Sequence, residues 1–84
     1  MVKLVYFAWV RERMGMAEEM VELPASVLTI ADLALWLASR DEGAALAFAN
    51  PEVVRAAIDK HHVSPQTPVQ GAREIAFFPP MTGG

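Results

Sequence analysis

The first nine residues alternate between two sets of side chains, which is the period of a β-strand. A strand over residues 2–9 places Lys3 and Phe7 on one face, and Leu4 and Tyr6 on the other. Because Lys3 favours water, its face is predicted to be the more exposed, and Phe7 becomes a candidate exposed aromatic residue. In a sheet covered on both sides Phe7 would instead belong to the core, and the pattern leaves both possibilities open.

A second strand and one clear helix are predicted farther along. Residues 18–23 mix apolar with acidic side chains, which is typical of an edge strand. Thr29 is a good N-cap, and Asp32 three residues later completes a variant of the capping box. A short second helix is predicted over residues 44–49. The main helix carries an apolar stripe at helical spacing: Ile30, Leu33, Ala34 and Leu37.

The segment that follows is ambiguous from its residues alone. Asn50 followed by Pro51 is a good helix start, and the apolar spacing through residues 53–58 also suits a helix. After it, His61 and His62 are predicted to lie in a loop.

The last apolar run, residues 74–78, has the composition of a strand. Ile75 and Phe77 share one face, whereas Phe78 falls on the other face together with the charged Glu74. Phe78 is therefore the second candidate exposed aromatic residue. Two exposed aromatic side chains, Phe7 and Phe78, on a sheet face next to the C-terminal tail would form a docking surface.

Beyond that strand the sequence predicts a rigid exit and a slender tail. Pro79 and Pro80 cannot donate to a sheet ladder, and a proline pair favours extended polyproline geometry. Gly83 and Gly84 have no side chains, so the tail could enter a narrow channel. The Gly84 carboxylate is a poor electrophile, but adenylation by another enzyme would make it reactive because AMP is a good leaving group. An ordinary frayed terminus is the alternative.

Composition narrows the classes of protein that fit. With 84 residues and 54 % apolar content, one small core is expected: a single domain over residues 1–80, followed by a flexible tail over 81–84. The net charge of −3 argues against a nucleic-acid partner. No apolar run approaches the ~20 residues of a membrane span. There is no cysteine, hence no disulfide and no zinc–thiolate site, which fits a cytoplasmic protein.

Other candidate chemistry is sparse. His61 and His62 have no apparent third ligand, so no metal site is predicted. Arg11 and Arg13 are ordinarily solvated charges; the alternative is that they bind acidic groups of a partner near the tail.

Both ends of the chain resemble a known family. The ending Phe-Phe-Pro-Pro-Met-Thr-Gly-Gly, residues 77–84, resembles that of the small subunits of molybdopterin synthase, a family of ubiquitin-like sulfur carriers. The start Tyr-Phe-Ala-Trp-Val-Arg-Glu, residues 6–12, resembles the same family's amino-terminal signature. Two positions depart from the family pattern: Asp59 stands where an asparagine is expected, and Arg73 where an acidic residue is expected.

The resemblance implies an α+β, ubiquitin-like β-grasp fold. Its mixed sheet of four to five strands would pack on one main helix plus a short second helix, with the first and last strands adjacent and parallel. It also implies a strand near residues 55–59, and we adopt that strand over the helix.

The resemblance further implies a sulfur carrier. An ATP-dependent adenylyltransferase would activate Gly84, and a persulfide sulfur would displace AMP to leave a thiocarboxylate, a 1-thioglycine. The large subunit of molybdopterin synthase, expected to form a heterotetramer with this chain, would pass that sulfur to cyclic pyranopterin monophosphate and so build the molybdopterin dithiolene. The chain would bind no cofactor of its own and hold no catalytic group except Gly84.

Particular residues receive roles in that scheme. The tail would insert into the large subunit's active site through Pro80, Met81, Thr82 and Gly83. The contacts with the partner would come from Phe7, Phe78 and Arg11. The alternatives are a sulfur carrier for thiamine, tRNA thiolation or cysteine synthesis, a ubiquitin-like protein modifier, and a plain binding module.

Overall fold

A five-stranded sheet with three α-helices makes up residues 1–80, which are the residues that the computed structural model describes. The arrangement confirms the predicted α+β class. It adds a helix over Ala8–Met14, where the sequence of residues 11–15 predicts only a helical turn ending in glycine, or a loop. The predicted tail over 81–84 lies outside the described residues. In chain order the elements are β1 (Val2–Tyr6), α1 (Ala8–Met14), β2 (Glu18–Val21), α2 (Ile30–Ala38), α3 (Glu42–Ala47), a 3₁₀ turn (Pro51–Val53), β3 (Arg55–Ile58), β4 (His61–Val63) and β5 (Glu74–Phe78).

The sheet has the strand order β2-β1-β5-β3-β4. β1 and β5 run parallel at its centre, with Tyr6 in register with Phe77, and the other neighbouring pairs are antiparallel. The first and last strands are thus adjacent and parallel, as the resemblance implied. Because β5 has a neighbour on each side, the chain leaves the middle of the sheet when it passes Phe78.

The helices cover one face of this sheet, and the core lies between the two layers. Tyr6 and Phe77 are each 1 % exposed, and their rings stack with centroids 6.3 Å apart. The ring of Phe48, just after α3, meets Phe77 edge-on at 5.0 Å. From α2 the predicted stripe is buried in the same cluster. No helix within residues 1–80 is long and apolar enough to cross a membrane.

The first helix begins earlier than the sequence pattern predicts. A strand was expected through Trp9, yet β1 ends at Tyr6 and α1 starts at Ala8. Ala8 has a φ of +52°, a left-handed conformation that breaks the extended run and turns the chain into the helix. Val10 and Met14, one helical turn apart, are the buried residues of α1, and Gly15 ends it at a φ of +78°.

The ambiguous segment is a strand, preceded by a single 3₁₀ turn, and the helix considered through residues 53–58 does not form. The start at Pro51 yields a 3₁₀ turn, and the strand implied for residues 55–59 is confirmed as β3. The loop predicted at His61 and His62 is wrong, because these residues begin β4. Asp59 and Lys60 adopt left-handed φ angles of +47° and +73°, as in a tight two-residue hairpin turn, so β4 can pair with β3 at once.

Asp59, which departs from the family pattern, forms three hydrogen bonds that hold the β3–β4 turn. Its carboxylate Oδ1 accepts hydrogen bonds from the backbone N–H groups of Arg73 and Glu74, at 3.1 and 2.9 Å. Its own N–H donates to the Glu74 carbonyl at 2.9 Å. The β3–β4 turn is therefore tied to the start of β5.

Candidate functional site at the end of the C-terminal strand

The end of β5 is attached to the start of α1. The Phe7 N–H donates to the Phe77 carbonyl at 3.1 Å, which continues the parallel pairing of β1 with β5 by one residue. Pro79 and Pro80 follow β5 directly, lie outside the strands and are partly exposed. Phe7 and the departing chain therefore lie at the same end of the sheet.

Phe7 and Phe78 occupy the face that the helices leave uncovered, which we call the open face. Phe7 is 50 % exposed, which decides between the two possibilities that the sequence left open. Its backbone is still extended, so its side chain follows Lys3 and Val5 in the strand alternation. Phe78 was also predicted to be exposed but is only partly so. The ring of His62 shields it, with ring centroids 5.1 Å apart and a tilt of 58°.

Arg55 completes this end of the open face. In the antiparallel pairing of β3 with β5 it stands directly opposite Phe78, and it is exposed. No acidic side chain of residues 1–80 forms an ion pair with it. We call the group of Phe7, Arg55, His62 and Phe78 the Phe78 corner.

The other end of the open face is neutralised. Lys3 lies 3.4 Å from Glu18 on β2 and 3.9 Å from Glu74 on β5, measured from Nζ to carboxylate oxygen. Both pairs are solvent-exposed and contribute little to stability. Their effect is to leave the Phe78 corner as the cationic end of this face.

Arg11, the third predicted contact residue, lies on α1 and is exposed. Its N–H donates to the Phe7 carbonyl at 3.3 Å, in the first turn of the helix. The helix thus holds Arg11 one turn from Phe7, while a contact with a partner stays a prediction. Of the residues predicted to insert into a partner, the structure describes Pro80 alone; four lie outside the described residues: Met81, Thr82, Gly83 and Gly84.

Beneath β1 a polar network joins the sheet edge to the end of α2. The Tyr6 hydroxyl donates a hydrogen bond to Glu19 Oε2 at 2.7 Å. The Arg40 guanidinium donates to both oxygens of the same carboxylate, at 2.9 and 3.1 Å. Burial, then the hydrogen bond to Glu19, raises the pKa of Tyr6 far above its ordinary value. Burial opposes ionisation of Glu19, yet the hydrogen bonds from Arg40 and Tyr6 outweigh it and lower the pKa of that carboxyl. All three groups are satisfied, so the network is a structural tie.

The remaining histidine shows no sign of a metal centre. On β4 His61 and His62 alternate, and His61 Nδ1 lies 3.1 Å from the Asp59 carbonyl oxygen. Nowhere in the described part of the chain do three His, Cys, Asp or Glu residues come together in a way that could hold an ion.

Comparison with known proteins places the chain. Residues 4–84 match the ThiS family. The chain belongs to the ThiS family. It is also 36 % identical over 84 residues to the molybdopterin synthase sulfur carrier subunit of Escherichia coli (strain K12), with 100 % of each chain aligned.

Solved structures agree on the fold of this ThiS-family chain. A Pyrococcus furiosus protein provisionally assigned as subunit 1 of molybdopterin converting factor is similar with a TM-score of 0.74 and 27 % identity, over 95 % of this chain and 97 % of that one. SAMP1 of Haloferax volcanii is similar with a TM-score of 0.70 and 20 % identity, over 99 % and 98 %. The ubiquitin-like β-grasp fold is confirmed; the SAMP1 likeness carries no more than the fold.

Sequence reasoning found Phe7 and Phe78 in this ThiS-family chain but missed Arg55 and His62. Arg55 was placed only as the start of a strand, and His62 only as a weak metal candidate in a loop. Their meeting at Phe78 depends on the register of β3 with both neighbours. The available signal was that two adjacent histidines in a strand must point to opposite faces, which would have put one of them on the open face.

Proposed function

We propose that this chain is the sulfur carrier subunit of a molybdopterin synthase. The observation that carries the proposal is the 36 % identity, over the full length of both chains, to the Escherichia coli subunit of that name. The sequence ending at Gly84 supports it, because the last two residues offer a carboxylate with no side chain around it.

The chemistry follows from that terminal carboxylate. An ATP-dependent adenylyltransferase joins AMP to Gly84, which turns an inert carboxylate into an activated acyl group. A persulfide sulfur displaces AMP to give an acyl disulfide. A second thiol of the sulfur donor then cleaves its S–S bond, so that Gly84 becomes a thiocarboxylate and the two donor thiols are left as a disulfide.

Sulfur is a far better nucleophile than carboxylate oxygen, so the thiocarboxylate can attack an activated carbon of cyclic pyranopterin monophosphate. Hydrolysis of the resulting thioester leaves the sulfur on the product and returns Gly84 to a carboxylate. Two sulfurs form the dithiolene, so two thiocarboxylated carriers each give up their sulfur per product.

The partner in this scheme is a large subunit that accepts the tail. Pro80, Met81, Thr82 and Gly83 enter its active site, which supplies the catalytic groups. Support comes from the fold: β5 is a central strand held on both sides, so the chain beyond Phe78 starts from a fixed point. A heterotetramer of two small and two large subunits is the proposed assembly.

The open face supplies the surrounding contacts. Phe7 is exposed and Phe78 partly so, on the same face and at the same end of the sheet. Arg11 on α1 lies one turn from Phe7. Aromatic and arginine side chains are the residues that dominate binding energy in protein interfaces, so we assign all three to the contact with the large subunit.

The test is intact mass after incubation with an activating enzyme, ATP and a sulfur source. The mass of the chain should rise by the difference between one sulfur and one oxygen, located at Gly84 by fragmentation. A variant with one residue added after Gly84 is the matched control. This variant should acquire no thiocarboxylate, and its Tm should be nearly that of the wild type. An unmodified wild-type Gly84 would overturn the carrier assignment.

The same family includes carriers for other routes, and the family match by itself does not separate them. Binding to a purified large subunit of molybdopterin synthase decides between them. A chain that acquires a thiocarboxylate at Gly84 yet does not bind that subunit would serve another sulfur pathway. A ladder of products joined to lysines of other proteins would identify a protein modifier instead.

A further inference from the structure

The chain as a whole is acidic, yet the end of the open face beside Phe78 is not. The net charge is −3 from ten acidic and seven basic residues. Within the Phe78 corner the only charged side chain is Arg55, and the ring N–H of the neighbouring His62 can donate a hydrogen bond. The sign of this corner is thus opposite to that of the protein.

The contrast with Lys3 makes this arrangement informative. Lys3 lies on the same face and has two carboxylates within 4 Å, from Glu18 and Glu74. Arg55, at the opposite end, has no such partner among residues 1–80. The chain therefore neutralises its open-face cation at the end far from the tail, and leaves the cation beside Phe78 available.

We propose that the Phe78 corner docks against an acidic surface of the synthase large subunit, with Arg55 and His62 as the residues that select this partner. The inference rests on the proposed function and adds to it the chemistry of the partner surface. It predicts an apolar pocket for Phe7 and Phe78, with at least one carboxylate at its edge.

The geometry of the sheet favours such a surface. Residues directly opposite each other in an antiparallel pair have Cβ atoms about 5 Å apart, so Arg55 stands beside Phe78. When the aromatic rings are covered, water leaves the vicinity of the guanidinium and a charge pair there becomes stronger. A guanidinium also holds a carboxylate through two parallel hydrogen bonds, which fixes orientation as well as sign.

The rings restrict how the corner can be approached. The His62 ring packs on one side of Phe78, with a tilt of 58° between the planes. A partner that buries Phe78 must therefore also contact His62, and a basic partner surface would be repelled by Arg55. Charge at an interface acts in this way chiefly on partner choice and association rate.

The experiment measures the Kd between the full chain and the purified large subunit at low and at moderate salt. We expect Arg55→Glu to weaken binding by about tenfold or more at low salt, because attraction is replaced by repulsion. Arg55→Lys keeps the charge but not the two parallel hydrogen bonds, so it should lose no more than about threefold in affinity. The loss in Arg55→Glu should shrink as salt rises, since screening acts on exposed charges.

Arg73→Glu is the matched control. Arg73 is exposed and lies just before β5, at the end of the sheet opposite the Phe78 corner. The substitution makes the same change in net charge and should change the Kd by no more than about twofold. For His62 the matched pair is His62→Leu, which keeps an apolar neighbour for Phe78, and His62→Glu, which should bind more weakly than His62→Leu.

Several outcomes would overturn the inference. Equal effects of Arg55→Glu and Arg73→Glu would mean that only overall charge matters. If Arg55→Glu binds the large subunit as well as the wild type but is thiocarboxylated more slowly, the acidic surface that Arg55 contacts belongs to the activating enzyme. Loss of the folded state in Arg55→Glu would appear as a large drop in Tm. In that case Arg55→Lys must keep its affinity within about threefold of the wild type for the inference to stand. If the wild-type chain binds no large subunit, the proposed function fails first and this inference with it.

Discussion

Phe77 and Phe78 are adjacent residues of the same type in one strand, yet they belong to different parts of the molecule. Phe77 is 1 % exposed and is enclosed by the rings of Tyr6 and Phe48, at 6.3 and 5.0 Å. Phe78 is partly exposed, and its aromatic neighbour is His62 at 5.1 Å. Because strand side chains alternate with a period of two, a single step along β5 leads from the core to the open face.

The same contrast extends across the sheet. On the covered face the side chains of β1 and β5 alternate as buried residues, and the buried Tyr6 hydroxyl has a partner in Glu19. On the open face the same strands carry partly exposed residues, with charges paired at one end and available at the other. The covered face therefore supplies stability, and the open face is the proposed site of partner recognition. Each prediction below tests that division.

The largest effect is expected for Phe77→Ala. Removing a fully buried phenylalanine from a core costs about 3–5 kcal/mol, through lost burial and the cavity left behind. Small domains have a free energy of unfolding of about 5–15 kcal/mol, so the variant should be close to unfolding. Urea denaturation followed by circular dichroism measures the loss.

Phe78→Ala is the control for that measurement, since it removes the same atoms one residue away. Its cost should be below about 1.5 kcal/mol, because the side chain gives up less burial. Equal losses for the two variants would place Phe78 in the core and end the division between the faces.

Phe78→Asp should act on binding more than on stability. A carboxylate at the centre of the proposed contact loses the aromatic anchor and repels an acidic partner surface, which we expect to raise the Kd for the large subunit by about 30-fold or more. The measurement is isothermal titration calorimetry alongside the Tm.

Leu46→Asp is its control on the helical side of the molecule. Leu46 on α3 is 63 % exposed, so the substitution places the same charge on an exposed apolar position away from the open face. Its Kd should match that of the wild type. Equal weakening by both variants would mean that the partner does not use the open face.

Alkaline pH tests the covered face without changing its packing. Burial and the bond to Glu19 raise the pKa of Tyr6, the only tyrosine, so the folded chain keeps the phenolic proton where the unfolded chain releases it. The stabilisation is complete below the unfolded pKa of about 10 and is lost as pH rises above it. The free energy of unfolding should therefore be lower at about pH 11 than at about pH 9, that is, on the two sides of the unfolded pKa.

Tyr6→Phe identifies the source of this slope. At neutral pH the variant should lose about 1 kcal/mol, the hydrogen bond to Glu19. Above pH ~10 it should lack the part of the decline that Tyr6 causes. An unchanged alkaline slope in the variant would show that other groups cause it.

Local signals in the sequence predicted the elements whose causes are local. The capping box of Thr29 and Asp32 fixes the start of α2, and the structure contains both of its hydrogen bonds. Alternation in β5 separated Phe77 from Phe78 correctly. The start of α1 escaped prediction because no capping side chain marks it: the turn depends on a left-handed Ala8, a conformation that favours glycine.

What depends on pairing between distant strands was not visible in the residues. The parallel contact of β1 with β5 came from the family resemblance, and the meeting of Arg55 with Phe78 came from neither. A one-residue change of register would move Arg55 to the covered face. The tail ending at Gly84, on which the proposed chemistry depends, stays a prediction from the sequence.

The smallest effect is expected at the β3–β4 turn, where a substitution should change stability but not recognition. Lys60 is exposed and has a φ of +73°, in which an L side chain is strained and glycine is not. Asp-Gly is also the pair that two-residue hairpin turns of this type favour. Lys60→Gly should therefore add about 0.5–1 kcal/mol to the free energy of unfolding, a rise of about 3–6 °C in Tm. Lys60→Ala removes the charge but keeps a Cβ at positive φ, so it should give no such gain, and an equal gain would assign the effect to charge. Because the turn lies at the end of β3 opposite Arg55, the Kd for the large subunit should stay unchanged in both variants, which would show that stability and recognition can be altered separately in this chain.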